Sequence, residues 1–466
     1  MTDSHDLFTT ADLRPGPPPS SAIAFALFVA TCLIIGCQPS APDPKQSSAE
    51  SGPETLVLGT SGDYPPFSDW PREVANPRGF SIELAEHYAR ATGRSIRWRR
   101  FDWPELLVDL EAHRFEAALS GVTVRPDRTL AGRFSLAITT SGAVVLVDAE
   151  SPVRSASGLD APDIALAVNA GGHLERVARR LFPTARIVPV PTNAEVLDRL
   201  GCDGVNGIVT DTVEAPLWQA RRPGLRRIGP LTRDGKAALF GLGRDRERTR
   251  FDRWLLEAEA SGLLATLRAR HGLPESATAS PARALAMSLD ERLSLMTQVA
   301  DTKIVLGRPV EDRGREARVL AAAAGATQRE AARRGVEPPD PKRVEAFYLA
   351  QIEAAKSIQR ARRRSLARAP APRDESARET ARRTLEERIR PALIALGDRI
   401  ALLVVACADA PPPPDGLLRE TLADHALPED DLLALEASFR TLFRAAAESA
   451  RPLRPAPATP GRAPSA

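Results

Sequence analysis

The first half of the chain is patterned as short apolar runs alternating with amphipathic stretches. Leu56-Val57-Leu58-Gly59 predicts a buried strand, and Phe80–Thr92, closed by Gly93, predicts an amphipathic helix. Ile96–Arg100 predicts another strand, Glu105–Ala112 a helix, and Glu116–Leu119 a strand running into Ser120-Gly121. Ala143–Val147, Ile164–Val168, Ile187–Pro189 and Gly207–Val209 predict further strands, with helical stretches between them. Alternating strands and helices imply an α/β fold with mostly parallel sheets, over residues 55–273.

Beyond a Pro/Ser/Ala linker at 274–283 the strand signal ends. Leu285–Val305, Glu311–Arg334, Pro341–Arg364, Ala377–Cys407 and Leu417–Ala450 predict helices. Gly/Pro breaks at 307–309, 335–339, 369–373 and 411–416 separate them. An all-α domain over 284–450 is expected, followed by a Pro/Ala tail at 451–466.

Composition agrees with two folded domains. The 466 residues are 43% hydrophobic and 26% charged, which excludes full disorder. Net charge is +3, from 63 basic and 60 acidic residues, so nucleic acid is a poor candidate partner. Only five of the basic residues are lysines (Lys45, Lys236, Lys303, Lys342, Lys356), so a lysine at a motif position carries weight. The histidines and cysteines have no metal-ligand spacing, and Cys202 and Cys407 read as two buried apolar thiols.

Ala22–Gly36 is an apolar run of 15 residues, short of the ~20 that span a bilayer, and fits a signal-peptide core. Gly36-Cys37 after Leu33-Ile34-Ile35 resembles a bacterial lipobox, which implies lipidation at Cys37. The expectation is a signal peptide at 1–37, a polar tether at 38–54, and a periplasmic or cell-envelope protein held by a lipid anchor.

Gly62-Asp63-Tyr64-Pro65-Pro66-Phe67-Ser68 and Gly79-Phe80-Ser81-Ile82-Glu83-Leu84 resemble the periplasmic amino-acid-binding proteins, whose two α/β lobes close on a ligand. Trp103-Pro104-Glu105-Leu106, Val168-Asn169-Ala170-Gly171-Gly172-His173 and Thr210-Asp211-Thr212-Val213-Glu214-Ala215 look like the exported cyclohexadienyl dehydratases. That resemblance implies conversion of prephenate or arogenate, with loss of hydroxide and carbon dioxide. It puts Glu214 at the general acid. A glutamate in a closed, partly apolar cleft suits that task, because burial keeps it protonated. It puts Arg128 at the carboxylate clamp, where a guanidinium grips two oxygens. Tyr64, Trp103, Thr123, Asn169, Gly172, His173 and Asp211 fall at ligand-binding positions. The sequence departs from the family at Ala143, where the dehydratases have a lysine, and at His173, where they have a threonine. His173 reads as an exposed loop residue, with supply of the missing charge as the alternative.

In the helical half, Asp290-Glu291-Arg292-Leu293, Val299–Lys303, Pro309–Glu316 and Gln351–Gln359 look like the exported gamma subclass of all-α chorismate mutases. Arg292 and Lys303 are 11 residues apart, close to three helical turns, and so share a face. Gln351, Ala355 and Gln359 step by four on one face, and Asp312 and Arg315 sit on one side of the next helix. Cations and amides aimed inward make a pocket that needs an anion, and a dicarboxylate meets that need. The resemblance implies that Arg292 and Arg315 bind carboxylates, and that Lys303 and Gln359 flank the ether oxygen. It places Asp312 at the ring hydroxyl and Arg388 as an arginine from a later helix. Ala355 replaces a hydroxyl residue of the family, and Lys356 reads as a surface residue.

The fold expected is therefore multidomain: a two-lobed α/β periplasmic-binding-protein-like domain followed by an all-α chorismate mutase domain. Chorismate and prephenate or arogenate are the expected small-molecule partners, with no cofactor and no metal. The first reading is a bifunctional enzyme. The second is an active mutase joined to a non-catalytic binding domain, and the third is a scaffold with neither activity. Oligomeric state is left open.

Overall fold

The computed structural model describes residues 54–274, 278–366 and 374–443. The expected signal peptide with Cys37, the tether up to residue 53, residues 444–450 of the last predicted helix and the 451–466 tail lie outside the described residues.

Nine principal strands form two sheets. Lobe 1 holds β1 (Thr55–Thr60), β2 (Ser95–Arg100) and β3 (Ala117–Thr123), followed by helix α1 at Pro126–Ala131. Lobe 2 holds β4 (Ala143–Asp148), β5 (Ala165–Asn169), β6 (Arg186–Val190), β7 (Gly207–Asp211) and β8 (Leu225–Ile228). It also carries α2 (His173–Leu181) and α3 (Ala215–Arg221). β9 (Asp234–Phe240) returns to lobe 1. The sheet orders are β2-β1-β3-β9 in lobe 1, extended by short strands, and β6-β5-β7-β4-β8 in lobe 2.

Every predicted strand forms, but the sheets are mixed. β1 runs parallel to β2 and β3, and β5 to β6 and β7. β4, β8 and β9 run antiparallel to their neighbours. The reason is topological. The parallel strands end at the cleft, whereas β4 and β9 each enter their sheet from it after the chain crosses between lobes. The cleft therefore receives the C-terminal ends of β3, β5 and β7 and the N-terminal ends of β4 and β9, a placement that suits a ligand site.

The helical half comprises α4 (Pro281–Ser294), α5 (Met296–Val305), α6 (Arg313–Arg334), α7 (Pro341–Ser365), α8 (Glu375–Arg383), α9 (Arg390–Ala408) and the shorter α10 (Leu417–Thr421) and α11 (Glu429–Arg440). The single helix expected over 285–305 breaks at Leu295 into α4 and α5. Local signals account for the ends of α6. Asp312 caps its first turn by accepting the Arg315 N–H at 2.9 Å, and Gly335 closes it in the left-handed conformation at φ 66°. Between α8 and α9, Thr384–Ile389 is a π-helical turn. α9 is apolar almost throughout because it is the central helix, packed against α4 and α6.

Residues 278–283 do not behave as a free linker. Thr278 and Ala279 are buried, and α4 begins at Pro281. One continuous hydrophobic cluster runs from Leu136, Ile138, Ala238 and Phe240 of lobe 1 into Leu285, Leu289, Leu396 and Ile400 of the helical half. Lobe 2 keeps its own clusters, one on each side of its sheet, built on residues such as Leu146 and Ile208 or Val145 and Val209. The helical half is thus an extension of lobe 1.

Candidate active sites

The cleft between the lobes brings together Tyr64, Trp103, Thr123, Arg128, Asn169, Gly172, His173, Asp211 and Glu214 around a cavity of about 60 Å³. Every cleft residue expected from the sequence lines it. Glu214 stands at the N-terminus of α3, 3% exposed, and accepts hydrogen bonds from Asn193 and, at 2.8 Å, from Thr210. Burial first, and then the neighbouring Asp211, push its carboxyl up to about 8. It is therefore protonated at neutral pH.

Arg128 is 3% exposed and donates to the Thr123 carbonyl at 3.1 Å. It makes no ion pair among the described residues, because Asp127 is engaged by Arg125 at 2.8 Å. Burial and then Arg125 lower the guanidinium to about 9. A buried cation without a partner is costly unless an anion completes it. Trp103 stands edge-on to Tyr64 and lies 5.8 Å from the Arg128 guanidinium carbon. Gly171, at φ 72°, lets the 169–172 loop meet Pro104, whose ring a Cβ there would approach to 3.0 Å.

His173 is not an exposed loop residue. It opens α2 with its ring 3.0 Å from Asp234, and burial lowers its pKa, so it is neutral at pH 7. Lys236 on β9, which no sequence motif singles out, also lines the cleft and brings a cation to it. Its Nζ donates to Thr123 at 3.0 Å and lies 3.3 Å from the Asp211 carboxylate. Ala143 is the cross-strand partner of Asp211, so the Lys236 ammonium lies beside the residue opposite Ala143.

A second cavity, of about 310 Å³, lies inside the helical half. Arg292, Lys303, Asp312, Arg315 and Gln359 all line it, as does Ala355. Arg292, Lys303 and Arg315 make no ion pair among the described residues, and burial lowers the pKa of all three. Lys303 donates to the Val310 carbonyl at 2.8 Å. Gln359 is buried with its side-chain oxygen unpartnered, and the Tyr348 hydroxyl on the same wall is unpartnered too. The cavity is thus cation-rich, with free polar atoms and an apolar remainder supplied by α6 and α9.

Four expectations fail. Arg388 points away from the cavity and pairs with Glu111 of lobe 1 at 3.4 Å, while Arg390 lines the cavity. The π-helical turn that ends at Ile389 widens the local turn and carries Arg388 off the cavity face. Lys356 is no surface residue: it lines the cavity, paired with Glu353 and, at 3.3 Å, with Glu316. Gln351 is buried away from the cavity. Cys202 is exposed, because it lies in the turn before β7, whereas Cys407 is buried as expected.

Residues 56–274 match the family of bacterial extracellular solute-binding proteins, family 3. Cyclohexadienyl dehydratase of Pseudomonas aeruginosa is 31% identical over 219 residues, covering 46% of this chain and 81% of that protein. The chain belongs to this solute-binding family. The arginine-binding extracellular protein ArtP of Bacillus subtilis is 26% identical, over 52% of this chain and 94% of its own. The crystal structure of an ancestral amino acid-binding protein, described as a precursor of cyclohexadienyl dehydratase, is 25% identical, covers 47% of this chain and 95% of its own, and has a TM-score of 0.44. The solute-binding family accounts for both lobes and for the expectation of export. The helical half lies beyond residues 56–274, so its cavity is an addition to the family's fold.

Proposed function

We propose that the protein is a bifunctional exported enzyme: the helical cavity rearranges chorismate to prephenate, and the cleft converts prephenate to phenylpyruvate. The observation that carries this reading is the pairing of a protonated, buried Glu214 with the unpaired Arg128, in a chain whose second cavity holds three unpaired cations. The 31% identity to a cyclohexadienyl dehydratase supports the lyase half. The mutase half rests on the residues of the cavity.

In the cavity, Arg292 and Arg315 hold the two carboxylates of chorismate in its compact conformer. Lys303 and Gln359 stabilise charge growing on the ether oxygen, and Asp312 takes the ring hydroxyl. The concerted shift needs no covalent intermediate, so positioning and electrostatics supply the catalysis. Arg390 takes the role expected of Arg388.

In the cleft, Arg128 and Lys236 hold carboxylates. Glu214 gives its proton to the departing ring hydroxyl, which leaves as water. The ring carbon–carboxylate bond breaks, carbon dioxide leaves, and that electron pair completes the aromatic ring. Glu214 then regains a proton from solvent. Thr123, Asn169 and the Gly172 backbone orient the substrate, while Tyr64 and Trp103 enclose the ring. The N-terminal segment, with Cys37 as lipid attachment, places the enzyme in the cell envelope.

The reading is tested by adding chorismate, and separately prephenate, to purified residues 38–466 and following phenylpyruvate. Accumulation of prephenate without phenylpyruvate favours the second reading, a mutase joined to a binding lobe. Ala143 and the likeness to ArtP are the observations on its side.

A further inference from the structure

The polar positions of Asp211 are all taken. Its Oδ1 accepts the backbone N–H groups of Val213 at 2.9 Å and Glu214 at 3.0 Å. Its Oδ2 accepts the Tyr64 hydroxyl and lies 3.3 Å from Lys236 Nζ. The residue is 1% exposed. The other carboxylates at the cleft are also spent. Asp234 accepts the Thr232 hydroxyl at 2.9 Å and lies 3.0 Å from His173, whereas Asp63, which accepts the Trp103 indole N–H at 3.0 Å, is exposed in the neighbouring cavity and does not line the cleft. Glu214 is held neutral by burial. The two cations differ. Arg128 makes no ion pair among the described residues, whereas Lys236, paired with Asp211, lies 5.1 Å from the Tyr64 ring centre, at the cavity wall.

We propose that Lys236 makes the cleft select 2-oxo acids over amino acids, because it occupies Asp211 and sets a positive charge where a ligand's α-ammonium would need an acceptor. An ammonium entering the cavity meets the Lys236 charge and finds its lining carboxylates, Asp211 and Glu214, already engaged, and such a like-charge juxtaposition is strongly unfavourable in a dry site. A 2-oxo dicarboxylate brings two negative charges and no positive one, which matches Arg128 and Lys236. This deepens the dehydratase reading and rests on it only for turnover.

The probes are phenylpyruvate and phenylalanine, which share a carbon skeleton and differ in oxo against ammonium. Titration calorimetry on the full chain at pH 7 is expected to give phenylpyruvate at least about tenfold tighter binding. Lys236→Met, which frees Asp211, is expected to narrow that ratio at least about tenfold. Only the part of the ratio that this variant moves belongs to the cleft. Should Lys236→Met fail to fold, Lys236→Gln, which keeps a polar group beside Asp211 but carries no charge, gives the same test: the ratio narrows. Wild type binding phenylalanine as tightly as phenylpyruvate, or binding neither, overturns the proposal. So does a ratio unmoved by Lys236→Met or by Lys236→Gln. Equal turnover of prephenate and arogenate keeps the dehydratase and overturns the selectivity. No turnover of either, with the binding ratio intact, keeps the selectivity and overturns the dehydratase.

Discussion

Thr129 donates a hydrogen bond of 2.9 Å to Glu291 across the junction between lobe 1 and the helical half. Thr129 follows Arg128, which lines the cleft, and Glu291 precedes Arg292, which lines the helical cavity. Glu291 is also ion-paired with Arg399, which donates to the Phe134 carbonyl at 2.9 Å and the Ser135 carbonyl at 3.1 Å. All three side chains are buried. One buried polar cluster therefore fixes the backbone that carries one lining arginine of each cavity.

That cluster makes the junction a stability element. Arg399→Met leaves the Glu291 carboxylate buried without its cation and is expected to cost about 3–5 kcal/mol. Thr129→Val removes one neutral donor and is expected to cost about 1–3 kcal/mol. Urea unfolding followed by circular dichroism checks both. Equal, negligible effects would show that the two halves do not depend on this contact.

Glu214 controls the pH behaviour of the cleft. With its carboxyl raised to about 8, the acid form is present at neutral pH and is lost above that value. Dehydration of prephenate is therefore expected to fall as pH rises through about 8. Glu214→Gln is expected to lower kcat by about 10²–10⁴-fold and to leave mutase activity unchanged.

The same burial has a cost to the fold. Between the ordinary glutamate range and about 8, the folded protein keeps a proton that the unfolded chain has released. Stability contributed by that proton is present at low pH and falls as pH rises through this window. Glu214→Gln removes the slope, so its Tm is expected to exceed that of wild type at pH 8–9 by about 1 °C for each kcal/mol recovered. Thermal melts across pH 5–9 read this directly.

The cavity arginines divide by position rather than by residue type. Lys303→Ala is expected to reduce chorismate rearrangement by about 10²–10³-fold, because it removes a donor to developing charge. Arg390→Ala is expected to raise KM, whereas Arg388→Ala, which only loses the surface pair with Glu111, is expected to leave the kinetics near wild type. Steady-state kinetics on the three variants separate these outcomes.

Most of the architecture was legible in the sequence, because strands such as Val144–Val147 and helices such as Pro341–Ser365 carry their period and end signals locally. The cleft residues were found through short motifs. Lys236 was not, because β9 returns from the hinge and no local pattern ties residue 236 to residue 211. Its one signal was the scarcity of lysine. Arg388 rests on resemblance alone, and the π turn at 384–389 is a local irregularity that no sequence pattern announces. The missing boundary at 274–283 is a tertiary effect: a polar composition predicts a linker, but Ala279 packs into the core shared with lobe 1.

The most direct test of the two-site account is a time course with chorismate and intact protein, repeated with Arg292→Ala and with Glu214→Gln. The account predicts phenylpyruvate from wild type, unreacted chorismate with Arg292→Ala, and accumulated prephenate with Glu214→Gln. Chorismate untouched by wild type, or phenylpyruvate formed as fast by both variants, would contradict it.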